Sequence, residues 1–194
     1  GSRDAKPGSP PFFVKKLNGR GTVLQEWTID SSIAFDGGPH SSKAGEPLGI
    51  SVYDGKVYVV SQITESRRGN ALSAGKENAH PHPTSNEIDC KLGYPVRVYD
   101  AKTGDELAKW YALGGHDIEV NANGVYVVGH NNRHIPETTD STCGGQVGKY
   151  SHDGVFKTRF APKKVMCTPG TISTPVGITS DSNGNIYVAG GGEI

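Results

Sequence analysis

The stretch Gly177-Ile178-Thr179-Ser180-Asp181-Ser182-Asn183-Gly184-Asn185-Ile186-Tyr187-Val188-Ala189 has two counterparts elsewhere in the chain. They are Gly49-Ile50-Ser51-Val52-Tyr53-Asp54-Gly55-Lys56-Val57-Tyr58-Val59-Val60 and Asp117-Ile118-Glu119-Val120-Asn121-Ala122-Asn123-Gly124-Val125-Tyr126-Val127-Val128. Each copy reads as a short strand, a tight turn rich in Asp, Asn and Gly, and a second strand of β-branched and aromatic residues. The turn chemistry has a physical cause, because Gly and Asn accept the positive φ that such turns demand. Self-similarity of this kind marks a repeat architecture.

A second hairpin alternates with the first. Val96-Arg97-Val98-Tyr99 leads through Asp100-Ala101-Lys102-Thr103-Gly104 into a strand ending at Trp110. Val147-Gly148-Lys149-Tyr150 leads through Ser151-His152-Asp153-Gly154 into one ending at Phe160, and Val14-Lys15-Lys16-Leu17 leads through Asn18-Gly19-Arg20-Gly21 into one ending at Trp27. In all three an aromatic follows the turn glycine at the same spacing. Trp27, Trp110 and Phe160 are therefore expected to be core plugs between units.

The order along the chain is outer hairpin, inner, outer, inner, outer, inner. Four antiparallel strands per unit, A to D from the axis outwards, make a propeller blade. The segments Pro47-Leu48-Gly49-Ile50 and Thr174-Pro175-Val176-Gly177-Ile178, each followed by an Asp-Gly or Asn-Gly turn and Tyr-Val, resemble the NHL-repeat pattern. Asn131-Asn132-Arg133 is similar to that family's Asn-x-Arg segment. The expected fold class is all-β, with NHL-like β-propeller blades: three four-stranded blade equivalents. Residues 12–27 are an outer hairpin, 47–110 and 116–160 are blades, and 175–190 an inner hairpin of one propeller segment spanning 12–194. Residues 1–11, with Pro7, Pro10 and Pro11, read as a flexible leader, and Gly1-Ser2 as a tag remnant or processed start.

The first hairpin is of C–D type and the last of A–B type, so the two are complementary halves of one blade. Closed propellers have about four to eight blades, and three could not surround an axis. Two expectations stay open: a piece of a longer propeller, or pairing of one chain's A–B hairpin with the next chain's C–D hairpin. The second is a head-to-tail contact that closes as a ring or propagates, and two copies would make a six-bladed homo-oligomer.

Bulk properties agree with many short strands and many turns. The chain has 194 residues, 34% hydrophobic, with 27 Gly and 12 Pro. Twenty Lys and Arg balance twenty Asp and Glu, so charge gives no attraction for nucleic acid or an anionic membrane. No apolar run approaches the ~20 residues of a spanning helix, which leaves no membrane insertion to expect.

In a propeller the A–B and C–D turns share one face, and the B–C and D–A connections share the other. Here the first set is short, while residues 28–46, 61–95, 129–146 and 161–174 are long connections. Long loops in compact domains are usually functional or disordered. Counting the short connection 111–116 with them, six of the seven His fall on this face, as do Cys90, Cys143 and Cys167. Cys143 and Cys167 leave the same blade and are expected to pair as a disulfide. Tyr94, Tyr111 and Arg133, with Asn131 and Asn132, supply aromatic, guanidinium and amide anchors for a protein or glycan ligand on this face.

Gly115-His116-Asp117-Ile118 resembles the His-Asp-Ile that opens an inner strand in peptidyl-hydroxyglycine amidating lyases, which are NHL-like propellers. In that family, histidines at this position on several blades hold a zinc ion. Only His116 matches, since the equivalent positions are Leu48 and Val176. A catalytic zinc needs about three protein ligands and an open position, so His130 and His134 would have to join His116. A calcium-dependent propeller would look to Asp117 and Glu119. The primary expectation is a non-catalytic binding or assembly module with no required cofactor, and the alternative is a metal-dependent lyase or hydrolase. Turn-rich composition and odd surface cysteines point to an extracellular or periplasmic protein, while no Asn-x-Ser/Thr sequon is present.

Overall fold

Alternating residues along the inner strands carry apolar side chains on both sides, so each sheet must be covered on both faces. The computed structural model shows how. It describes residues 12–29, 32–33, 42–63, 94–112, 115–130, 145–160 and 174–191. Among these are thirteen strands and no helix, so none of the described residues forms a helix able to cross a membrane.

The strands are β1 (Phe13–Leu17), β2 (Val23–Thr28), β3 (Ser32–Ile33), β4 (Ser42–Tyr53), β5 (Lys56–Ile63), β6 (Tyr94–Asp100) and β7 (Glu106–Ala112). They continue as β8 (Asp117–Asn121), β9 (Gly124–His130), β10 (Gly145–Tyr150), β11 (Phe156–Phe160), β12 (Thr174–Ser180) and β13 (Ile186–Gly191). β4 to β7 form one antiparallel blade and β8 to β11 the next. β1–β2 and β12–β13 are two-stranded sheets, the outer and inner halves expected from the sequence. The architecture is thus a row of propeller-type blades with a half-blade at either end.

One feature of the first full blade was not expected. β3 pairs along the inner edge of β4, Ser32 opposite Lys43 and Ile33 opposite Ser42, making a five-stranded sheet. β4 also starts ahead of residue 47, and its register slips on either side of Pro47. Proline cannot donate to the ladder, which accounts for the irregular pairing there.

Blades stack face to face. Opposed residues of an antiparallel pair share a face, and the pairings assign every inner residue to a side. Val57 and Val59 of β5 point to the β1–β2 hairpin and join Val14, Ile29 and Tyr99 in one core. Tyr58 and Val60 point the other way, meeting Ile118, Val120, Val125 and Val127 of the next blade. Tyr126 and Val128, alternating with those, meet Val147 and Ile178 beneath β12–β13. Three such joints bury nearly all the large side chains of β5 and β9. At about 25 cal/mol per Å² of apolar area, this lateral stacking, rather than any single sheet, is the main source of stability.

Candidate functional site

The outer hairpins repeat one contact at each joint. Gly104 closes its turn at φ 82° and Gly154 at 87°, a region that favours glycine. The Trp27 ring lies beside Gly104, where an added Cβ would be 3.2 Å from it. Trp110 lies still closer to Gly154. Each indole also touches a tyrosine near the end of the C strand that leads into that turn, Trp27 to Tyr99 at 6.1 Å and Trp110 to Tyr150 at 4.8 Å between centroids. So the turn glycine has two duties: it supplies a left-handed backbone, and it leaves room for the neighbouring blade's indole. Phe160, expected to be a third plug, is 55% exposed. It faces the side on which β12–β13 has no outer strands among the described residues.

Near the axis, the polar groups of β8 tie it to both neighbouring inner strands. The Asp117 carboxylate accepts from its own strand, Ile118 N at 2.9 Å, and across the joint from Ile178 N at 3.0 Å. Gly49 packs against it, and a Cβ there would come 2.5 Å from Asp117 Oδ1 and 2.7 Å from its Cα. Glu119 accepts a 2.5 Å hydrogen bond from the Ser180 hydroxyl. A longer, weaker contact of 3.5 Å reaches it from Ser51, whose oxygen accepts from Val120 N at 3.0 Å. His116 donates its backbone N–H to Val128 O at 2.7 Å, and its Nδ1 lies 3.0 Å from Pro175 O. These half-buried groups carry hydrogen bonds between blades.

On the opposite face the turns stabilise themselves. The Asp100 carboxylate accepts from the Thr103 and Lys102 amides, which holds its pKa below the ordinary value of 3.8. Asp153 is lowered chiefly by the Ser151 hydroxyl, and Asp181 by the Asn185 side-chain amide. Tyr187 donates to Asp181 at 3.0 Å, and this bond raises the phenol's pKa. His152 stacks on Tyr53 with centroids 5.2 Å apart while its Nε2 lies 2.9 Å from Asn121 O.

The binding and metal residues expected from sequence are only partly within the described residues. Tyr94 opens β6 and is half-buried, its ring lying over Gly115, whose Cβ position it would occupy. Tyr111 lies on β7 and His130 ends β9, but their side chains are outside the described residues. Asn131, Asn132, Arg133, His134, Cys143 and Cys167 also lie outside them. Among the described residues no three His, Cys, Asp or Glu side chains gather as a metal site.

Sequence reasoning missed the residues that the two half-blades leave uncovered. The repeat contains the signal, since equivalent tyrosines occupy β5, β9 and β13. Tyr58 is 1% exposed, Tyr126 4% and Tyr187 55%. On β4, Ile50 and Val52 are 54% and 64% exposed, although their equivalents Ile118 and Val120 are buried. Each anomaly falls where a neighbouring half-blade is lacking among the described strands.

Strand order, face-to-face stacking and the repeated joint define a β-propeller class of protein. In agreement, a family model described as the SBBP beta-propeller repeat matches residues 156–191. That span opens on β11, the outermost strand of one blade, and closes on β13 of the next. No curated protein matches the chain.

Proposed function

We propose that the chain is a non-catalytic propeller module for binding and assembly, whose half-blades are completed by strands added from outside the described residues. The observation that carries this reading is the pair of complementary surfaces. One end has an outer hairpin and a bare inner apolar face, Ile50 and Val52, while the other has an inner hairpin and a bare outer apolar residue, Phe160. Edge strands with free ladder groups template pairing, and apolar patches beside them supply the energy.

The chemistry of the inner strands supports a scaffold over a catalyst. Asp117, Glu119 and His116 are engaged in hydrogen bonds between blades. In this reading the long-loop face, with Tyr94, Tyr111, Asn131, Asn132 and Arg133, is left to hold a protein or glycan ligand, and the protein works outside the cytoplasm. Hydrogen exchange tests the assembly. Amides of β1 and β13 should exchange as slowly as those of β5 and β9, because paired edges are protected. Exchange at the rate of open edges would refute it.

A further inference from the structure

Resting on that assembly reading, we infer that the completing partner is a second copy of this chain, held in the register that the internal joints already define. Two joints show what the outer half of a joint requires. An aromatic late in the D strand of one blade covers the turn glycine and a tyrosine near the end of the C strand of the next: Trp27 over Gly104 and Tyr99, then Trp110 over Gly154 and Tyr150. The third aromatic in the series is Phe160. The equivalents of the residues it should cover are Gly21 and Leu17. Gly21 has the same left-handed conformation, φ 81°, yet none of the described residues lies within 4 Å of its Cβ position. Leu17, the counterpart of two tyrosines in contact with indoles, is 53% exposed. Knob and socket are both present and both unfilled, at opposite ends of the chain.

The inner half of the joint repeats the argument with different residues. Tyr58 covers Ile118 and Val120 of the next blade, and Tyr126 covers Ile178. Tyr187 continues that series, and Ile50 and Val52 are the equivalents of the residues it should cover. The ladder fixes the register. β5 sets Val57 opposite Tyr99 and Tyr58 opposite Val98, and β9 sets Val125 opposite Tyr150 and Tyr126 opposite Lys149. Translated by one blade, β13 sets Ile186 opposite Leu17, Tyr187 opposite Lys16 and Val188 opposite Lys15 of the second copy. Lys149 Nζ lies 5.4 Å from the centre of the Tyr126 ring, and Lys16 would repeat that cation–π contact on Tyr187.

The described strands of two copies exchanging hairpins in this way make two composite blades beside four complete ones. Six blades fall within the ordinary range, and two head-to-tail contacts related by a two-fold axis close the ring.

The test uses chains in which Cys90, Cys143 and Cys167 are replaced by serine, shown to fold by circular dichroism. One chain carries Tyr187→Cys, and its partner carries Lys16→Cys or, as control, Lys15→Cys. Directly opposed residues come within disulfide reach, whereas Lys15 points to the other face. The expected result is a particle of twice the chain's 20.5 kDa by light scattering, with oxidation linking the Tyr187→Cys and Lys16→Cys pair but not the control pair. In the unmodified sequence, Phe160→Ser should raise the dimer dissociation constant about tenfold or more and leave the melting of the separated chain unchanged. A dimer that links only the control pair, or neither, overturns the register and leaves assembly standing. A larger closed species overturns the two-copy ring, and a monomer at every concentration overturns both readings.

Discussion

Replacing turn glycines by alanine should separate backbone strain from blade-to-blade crowding, because three glycines share a conformation and differ in surroundings. Gly55, Gly104 and Gly154 have φ of 71°, 82° and 87°. An alanine in left-handed backbone costs about 1–2 kcal/mol at any of them. Beyond that, Gly55 has none of the described residues within 4 Å of its Cβ position, Gly104 has the Trp27 ring at 3.2 Å, and Gly154 has Trp110 inside the 3.0 Å that real Cβ atoms essentially never enter. Overpacking of this kind adds about 1–3 kcal/mol. Gly55→Ala should therefore cost about 1–2 kcal/mol, Gly154→Ala about 2–5, and Gly104→Ala an intermediate amount.

For a chain of this size each kcal/mol lowers Tm by about 2–4 °C, so the expected falls run from a few degrees at Gly55 to about 10 °C or more at Gly154. Thermal unfolding followed by tryptophan fluorescence reads this directly. A second measurement isolates the cause: in a Trp110→Leu background, Gly154→Ala should lose its excess over Gly55→Ala, a coupling typical of residues in contact. Equal Tm losses at all three glycines, or additivity with Trp110→Leu, would refute the proposed joint.

Three further outcomes follow from the same geometry. Glu119→Ala should destabilise by about 1–3 kcal/mol in urea unfolding, since it leaves the Ser180 hydroxyl and Ser51 without their carboxylate. Glu106→Ala should cost more than Arg97→Met, because Arg97 is almost wholly buried and pairs with the half-exposed Glu106. Removing the acid strands a buried charge, whereas removing the arginine does not. Asp100, Asp153 and Asp181 should titrate by carboxyl NMR below 3.8. Their hydrogen bonds favour the ionised form, so the stabilisation is present above the unfolded pKa and fades as pH falls through the lowered folded value. Midpoints at or above the ordinary value would contradict the turn geometry.

Much of the fold was legible because its causes are local. A strand covered on both faces needs a run of β-branched and aromatic residues, and its hairpin a turn residue able to take positive φ; both are visible in Val125 to Val128 after Asn123-Gly124. The fate of Phe160 was not legible, since a plug is buried only if the next blade supplies what it covers. The sequence motif is identical for Trp110 and Phe160, and the difference lies in the neighbour. The contacts of the inner-strand carboxylates were not legible for a related reason. Asp117 and Glu119 look like candidate ligands in isolation, and only the register shows Ile178 N and Ser180 within their reach. The lone arginine among the valines of β6 gave no warning that Arg97 would be buried with Glu106.

Exposure in this protein therefore has to be judged against the repeat and not against the residue type. An isolated exposed tyrosine or isoleucine is unremarkable on any surface. Tyr187 is different because two residues in the same structural position, Tyr58 and Tyr126, are buried by a following blade. The comparison subtracts the side chain, the strand position and the register to the inner A strand, which are shared, and leaves the missing neighbours, the outer C strand and the following blade, as the variables. Applied at the other end, it separates Ile50 and Val52 from Ile118 and Val120 in the same way. The bare inner face, Ile50 and Val52, lies beside an outer hairpin and the bare outer aromatic, Phe160, beside an inner hairpin, so each end of the described strands carries the hairpin that the other lacks. A row of identical joints has one donor end and one acceptor end, and whatever covers the first has the form of the second.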